Sequence, residues 1–247
     1  NNSKIGIVMP MYNAAASIER AVESVINQEY KNWILYIIDD CSTDDSAVLL
    51  KKYLSDDRVI LLRNDKNMGA AMSRNNGLAA SKEELICFLD SDDEWLPNKL
   101  LIQVSEFRSD NLASITNYNY ISAEKVTPIV SSIPSLNYND LLSKKYRICF
   151  SSLMINMKDR RIKFEDLGHE DFLFLINILK DGKSIQVIGK CLVNYYATSG
   201  SLSSNKKKSI LWHYNILKKI YPLNFAKRYY FMICYAYQGV KFSKLIR

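Results

Sequence analysis

Residues 7–46 read IVMPMYNAAASIERAVESVINQEYKNWILYIIDDCSTDDS. The opening belongs to an apolar run, KIGIVMP (4–10), that ends in Pro. Ser17 then stands where it can cap a helix. Ile18, Ala21, Val22, Val25 and Ile26 recur at the i, i+3, i+4, i+7 and i+8 spacing of one helix face. WILYIIDD (33–40) is apolar without interruption until two aspartates close it, the pattern of a strand buried on both faces of a sheet. The polar CSTDD that follows predicts a loop leading into a helix near 45–55.

Outward from that stretch the alternation continues. RVILLR (58–63) predicts a third strand, NDKNMG a loop, residues 70–80 a helix, ELICFLD (84–90) a fourth strand, and Pro97 the start of another helix. Strands alternating with helices indicate an α/β fold with a parallel sheet and right-handed crossovers. The second half differs. Strand-like pieces are expected at 114–121, 126–130 and 150–155, and a helix from about 169 to Lys180, stopped by Asp181-Gly182. Two more strands are expected at 184–189 and 191–197, and a helical region from 205. There Phe225, Tyr229, Met232, Ile233, Ala236 and Val240 share one face. Three parts are expected: 1–110 as an alternating α/β half, 111–204 as a second, mixed half, and 205–247 as a basic helical tail.

The 247 residues are 48% apolar and 24% charged, which excludes a disordered chain and supplies a sizeable core. No apolar run reaches the ~18 residues of a membrane-spanning helix. The chain begins without Met and runs straight into a strand, so no secretory leader is read. Cys41, Cys87, Cys149, Cys191 and Cys234 are scattered and odd in number, never in a CxxC pair. That disfavours a disulfide framework or zinc site and predicts a reducing, cytoplasmic compartment. The net charge of +7 is uneven: residues 182–247 hold twelve Lys+Arg and no acid, against a mildly acidic body. A purely basic tail is the footprint of a polyanionic partner.

In open α/β sheets ligands collect beyond the carboxyl ends of the strands. The loops there are MPMYNA, DDCSTDD and DSDDEW. They are expected to bring Asn13, Asp39, Asp40, Asp44, Asp45, Asp90, Asp92 and Asp93 to one place. Clustered carboxylates repel one another unless a cation joins them. Hard oxygen ligands in open geometry suit Mg²⁺ or Mn²⁺, which usually also coordinate substrate phosphate. An EF-hand from Asp90 fails, because Trp95 and Leu101 stand where Gly and Glu are needed. Neither GxxxxGK[ST] nor GxGxxG occurs, which excludes a P-loop nucleotidase and the dinucleotide fingerprint.

With these residues in view, the chain resembles the family 2 glycosyltransferases of GT-A fold. The likeness rests on residues 7–46, on NMGAAMSRNNGL (67–78), on FLDSDDEWLPNKL (88–100), similar to the family's Asp-x-Asp motif, and on GHEDFLFLINILKDG (168–182), similar to its Glu-Asp motif. It implies a Rossmann-like nucleotide-binding sheet with a smaller acceptor-binding lobe, and an inverting, metal-dependent transfer from a UDP-sugar. Asp40 would accept from the uracil ring, with Pro10, Tyr12 and Asn13 beside base and ribose. Gly69, Asp90 and Ser91 would complete the donor site, Arg74 would add positive charge, and Asp92 would hold the cation. An inverting reaction needs one general base. Asp171 is taken as that base and Glu170 as its positioning neighbour, kept ionised at a helix N-terminus. Glu165-Asp166 is the weaker rival pair.

One departure matters. The family often carries a basic residue after its last strand, where this chain has Tyr195-Tyr196-Ala197-Thr198, then SGSLS; Lys206, Lys207 and Lys208 follow as candidate substitutes. The tail 205–247 combines ten Lys+Arg with Trp212 and nine Tyr or Phe residues. That suits the headgroup region of an anionic membrane. It fits a glycan acceptor carried on a polyprenyl diphosphate, with the protein peripheral on the inner face of the cell membrane. Nothing resembles a nucleic-acid recognition module. Two other readings stay open: a catalytically inactive nucleotide- or carbohydrate-binding scaffold, and a surface-binding protein acting through its tail alone.

Overall fold

The apolar runs of the first hundred residues become parallel strands in the computed structural model, which describes residues 3–108, 111–123, 125–158, 162–197 and 206–246. β1 (Ile5–Met11) lies between β2 (Trp33–Asp39) and β4 (Leu85–Phe88), and β3 (Val59–Arg63) flanks β2, all parallel. The helices between them are α1 (Ile18–Ile26), the short α2 (Ser46–Leu49) and α3 (Gly69–Ala80). α3 packs closely on β1 and β2 because Gly77 has no side chain: a Cβ there would lie 2.5 Å from Val8 Cγ1 and 2.9 Å from Ile38 Cδ1.

Beyond β4 the sheet continues without a break. β5 (Glu94–Trp95) and α4 (Lys99–Glu106) lead to β6 (Ala113–Ile121), β7 (Val126–Ile129), β8 (Ser135–Leu136), α5 (Tyr138–Leu142) and β9 (Met154–Asn156). α6 (Glu170–Ile178) and β10 (Ile185–Tyr196) follow. The strand order is β3-β2-β1-β4-β9-β6-β10-β5, with β7 beside β6 and β8 beside β10. β9 runs antiparallel to both β4 and β6, while β6 and β10 are parallel, so this half is mixed. The boundary expected at 110/111 therefore crosses one continuous sheet.

Several expectations are corrected locally. Ser17 precedes α1, but its hydroxyl donates to the Ala14 carbonyl at 3.4 Å and caps nothing. The helix expected over 45–55 is one α-helical turn followed by a 3-10 turn at Leu50–Tyr53. α4 starts two residues after Pro97. Of the strand expected at 150–155, Phe150–Ser152 is a 3-10 turn and only β9 pairs. The two strands expected around Lys190 are one, because the register against β6 slips near Cys191 as a bulge and no turn forms.

The C-terminal segment forms α7 (Lys206–Ile220) and α8 (Phe225–Leu245). α7 buries His213, Ile216 and Leu217 against the body. α8 buries Arg228 and Phe231, so its apolar stripe of Phe225, Tyr229, Ile233, Ala236 and Val240 faces outward, with Met232 half-buried at its margin.

Candidate active site

The loops at the carboxyl ends of β1, β2 and β4 do form the site edge, but their acidic side chains have separate tasks. Asp40, taken as the uracil acceptor, is buried and fully engaged. Its Oδ1 accepts from Asn64 Nδ2 at 2.7 Å and Met68 N at 2.8 Å, and its Oδ2 from Gly69 N at 2.8 Å. It closes the start of α3, whose entry needs Gly69 at φ 81°, and both its oxygens already accept from the protein. Its neighbour Asp39 is the better candidate. Oδ1 accepts from Ser42 N at 2.8 Å, while Oδ2 is buried without a hydrogen bond, with Arg63 Nε at 3.6 Å. A buried carboxylate oxygen lacking a donor is costly and marks a place for one.

Asn13, in the left-handed region at φ 48°, braces this loop: its Oδ1 accepts from Thr43 N at 2.8 Å and its own N donates to Ser42 Oγ at 3.0 Å. Pro10 is half-buried near the end of β1, Met11 after it is buried, and Tyr12 is half exposed beyond the strand. Asp44 is also spent on the loop, accepting from Ala15 N at 2.9 Å and from the amide and hydroxyl of Ser46. Partial burial pushes its carboxyl up, but those donors outweigh it and leave it below the usual range.

At the tip of β4 the Asp-Ser-Asp-Asp run divides. Asp93 turns inward, accepting from Ser151 Oγ at 2.5 Å and Tyr196 N at 3.2 Å. Burial, reinforced by the charges of Asp90 and Asp92, raises its carboxyl well above the ordinary range. Asp90, Ser91 and Asp92 remain half-exposed at the edge. Among the described residues no group of three or more His, Cys, Asp or Glu converges to hold a metal ion. The expected eight-residue cluster therefore does not form. Asp90 and Asp92 still fit a Mg²⁺ or Mn²⁺ that takes one or two protein carboxylates and completes its shell from substrate phosphate and water.

Arg74 joins this tip to the second half. Its buried guanidinium donates to Asp90 Oδ1 at 2.7 Å and to Glu170 Oε1 at 3.2 Å. The rings of Phe150 and Phe164 lie beneath it at 4.8 and 5.5 Å. Asn75, absent from the sequence-based site, fastens the same junction through Phe164, whose N and carbonyl it engages at 2.9 Å each. Burial raises the Glu170 carboxyl; Arg74 partly opposes this and the charge of Asp171 adds to it. Asp171 is half-exposed, one oxygen accepting from Phe172 N at 2.7 Å. Glu170 is thus committed to Arg74 while Asp171 stands at the opening. The rival Glu165 is paired at the surface with Lys219.

The turn before α6 is held from α7. His169, at φ 50°, has its Nε2 3.1 Å from the Ser209 carbonyl. A Cβ on Gly168 would lie 2.5 Å from the Trp212 ring, so only glycine fits there. Sequence reading also passed over Arg20. Its guanidinium stands 3.7 Å from the centre of the Tyr196 ring and donates to the Asp92 carbonyl at 2.6 Å. A cation therefore stands where Tyr196 lacks one. Lys207 and Lys208 are exposed at the start of α7, and the 198–205 segment lies outside the described residues.

The model of glycosyl transferase family 2 matches residues 6–166. A relative from Escherichia coli, the UDP-Glc:alpha-D-GlcNAc-diphosphoundecaprenol beta-1,3-glucosyltransferase WfaP, is 31% identical over 237 residues, covering 96% of this chain and 92% of its own. Among solved structures, residues 1–349 of Staphylococcus aureus TarS with UDP-GlcNAc superpose with a TM-score of 0.73 at 18% identity, over 93% of this chain and 70% of that one. The Pyrobaculum calidifontis mannosyltransferase PcManGT with GDP-Man and Mn²⁺ does so with a TM-score of 0.69 at 16% identity, over 95% and 69%. The mixed sheet is that of the GT-A fold, and the chain belongs to glycosyl transferase family 2 and is a glycosyltransferase.

Proposed function

We propose that the protein transfers a hexose-type sugar, with inversion, from a UDP-sugar to a hydroxyl of a glycan carried on a polyprenyl diphosphate, in the assembly of a surface polysaccharide. The observation that carries this reading is the Arg74 bridge: one buried guanidinium ties the β4 tip, expected to bind the donor, to the start of α6, expected to carry the base. The relative that uses UDP-Glc on a diphosphoundecaprenol-linked sugar supports the substrate classes.

In this mechanism Asp39 Oδ2 accepts from the uracil ring, with Arg63 beside it and the Pro10–Asn13 loop along the ribose. Asp40 and Gly69 hold that loop's neighbour in shape. Asp92, with Asp90, would hold Mn²⁺ or Mg²⁺, which when bound would supply positive charge against that developing on the departing UDP. Arg20 adds fixed positive charge on the same side. Asp171 takes the acceptor hydroxyl proton, and Glu170, anchored on Arg74, fixes the helix turn that presents Asp171.

No helix among the described residues is long and apolar enough to cross a membrane. The outward apolar stripe of α8 between basic residues supports docking on an anionic membrane surface, on its inner face where lipid-linked sugars are extended.

The test is release of UDP from a panel of UDP-sugars with a GlcNAc-diphosphate-alkyl acceptor. Turnover should stop with EDTA and with Asp92→Ala. Asp171→Asn should lower kcat at least ~100-fold, as loss of a general base does, with UDP binding by calorimetry retained. UDP binding without transfer to any acceptor or to water would leave the inactive scaffold as the better reading.

A further inference from the structure

The reaction above leaves unused a cation near Asp171, Lys144, and a second three residues further on, Arg147. Lys144 follows the end of α5 in the left-handed region, at φ 52°, where its N donates to the Leu141 carbonyl at 3.0 Å. That position after a helix is one that glycine fills at least cost. Here it carries a lysine whose long side chain folds inward, not into water: Nζ stands 3.6 Å from the centre of the Phe172 ring, on the residue next to Asp171. Both features are unfavourable in themselves, and such residues concentrate at functional sites.

Arg147 is its companion, with its guanidinium 4.2 Å from the centre of the Phe242 ring of α8. Burial lowers the basicity of His169, and the charges of both cations add to that. Arg147 also acts on Tyr118 and Tyr195, two aromatic residues 6.1 Å apart between ring centres on neighbouring strands. Among the described residues neither cation forms an ion pair; the carboxylate acting on Lys144 is Asp171.

We infer that Lys144 and Arg147 bind the diphosphate of the acceptor. This rests on the reading of the protein as a transferase to diphosphate-linked glycans. When the attacked hydroxyl and the diphosphate belong to one sugar, a cation holding the diphosphate must stand one pyranose ring from the base. Lys144 Nζ, 3.6 Å from the ring centre of the residue that follows Asp171, stands near enough to the base to meet that demand, and Arg147 follows three residues later in the chain. Lys144 supplies a point charge and Arg147 a fork that matches phosphate oxygens. The lipid chain would then leave the site past Phe242 of α8, towards the outward apolar stripe.

The experiment compares two soluble acceptors: GlcNAc-diphosphate-alkyl and the same sugar as a phosphate-free alkyl glycoside. Lys144→Gly suits the left-handed backbone and should keep or raise the melting temperature; Arg147→Met keeps the apolar stem over Phe242. For each variant the acceptor KM should rise tenfold or more with the diphosphate acceptor. The wild-type preference between the two acceptors should shrink by the same factor, with UDP affinity by calorimetry as in wild type. An equal loss on both acceptors would overturn the inference and make Lys144 a positioning residue for Asp171. Unchanged KM values would overturn it outright. A wild-type protein that transfers to neither acceptor would remove the reading on which the inference rests.

Discussion

Arg74 and Glu170, ninety-six residues apart in the chain, are joined at 3.2 Å in the interior, and the same guanidinium holds Asp90 at 2.7 Å. Removing the cation leaves two poorly solvated carboxylates facing each other. Breaking a buried pair in this way costs about 3–5 kcal/mol. Arg74→Met is expected to lose that much in urea denaturation near neutral pH. Burial already raises the Glu170 carboxyl and Arg74 opposes the rise, so the variant moves it further up. A carboxyl whose folded value lies above its unfolded one stabilises at low pH and loses that contribution as pH rises. The penalty should therefore be larger at pH 7.5 than at pH 5. Equal penalties at both would show that the carboxylates do not depend on this cation.

Asp39 and Asp40 are adjacent and chemically alike, yet should fail differently. Asp40→Ala removes the acceptor for Asn64, Met68 and Gly69. It should cost about 1–3 kcal/mol of stability through unsatisfied donors at the start of α3. Asp39→Asn keeps the volume and puts a polar amide where Oδ2 is unpaired. It should fold normally and weaken UDP binding about tenfold, one lost charge-assisted hydrogen bond. Calorimetry with UDP and a thermal melt on each variant check both. A Kd that rises for Asp40→Ala with no change for Asp39→Asn would restore Asp40 as the base acceptor.

The sheet was legible because a parallel strand buried on both faces must be an apolar run, and its carboxyl end must carry the polar loop. The expected location of the site followed from that alone. The orientation of each carboxylate did not. Asp93 turns inward because Ser151 and the Tyr196 amide, 58 and 103 residues away, offer it donors, and Asp40 because α3 needs a cap. Such partners are set by tertiary packing and leave no local pattern. Arg20 was invisible for the same reason: in α1 it reads as a surface residue, and only the strand carrying Tyr196 gives it a role. On α8 the apolar spacing was read correctly, but the helix is apolar on more than one side. Spacing cannot say which side meets the body.

That outward side leads to a binding experiment. Phe225, Tyr229, Ile233, Tyr237 and Val240 are all more than half exposed. They alternate with Lys227, Lys241 and Lys244 in a segment with no acidic residue. A second copy of so basic a surface would repel the first, whereas an anionic bilayer attracts it. The protein should sediment with vesicles containing phosphatidylglycerol and not with pure phosphatidylcholine, and salt should weaken the binding. Tyr229→Ser with Ile233→Ser should lower the partition several-fold without moving the melting temperature, because neither side chain is buried. Equal binding to both vesicle types would reject an electrostatic dock.

His213 gives the fold its own acid sensitivity. It is fully buried in α7, stacked at 4.3 Å on Tyr235 and 5.0 Å from Phe172, and neither ring nitrogen has a hydrogen-bond partner. Burial, with Lys144 and His169 adding positive charge, pushes the ring down to about 2. His169 is lowered as well, by burial first and then by the charges of Lys144 and Arg147. In the unfolded chain the imidazole takes a proton near its ordinary value of 6.5, which the folded state refuses. Stability from this group is therefore complete above about pH 6.5 and is lost as pH falls towards the folded value. Between pH 7 and pH 5 the loss amounts to about 2 kcal/mol for one such histidine. His213→Phe fills the same space with no site for the proton. Urea denaturation at the two pH values should show the wild type losing about 2 kcal/mol more than the variant on acidification. Parallel losses in the two proteins would place the acid sensitivity elsewhere, and with it the argument that α7 is packed on the catalytic lobe through a neutral histidine.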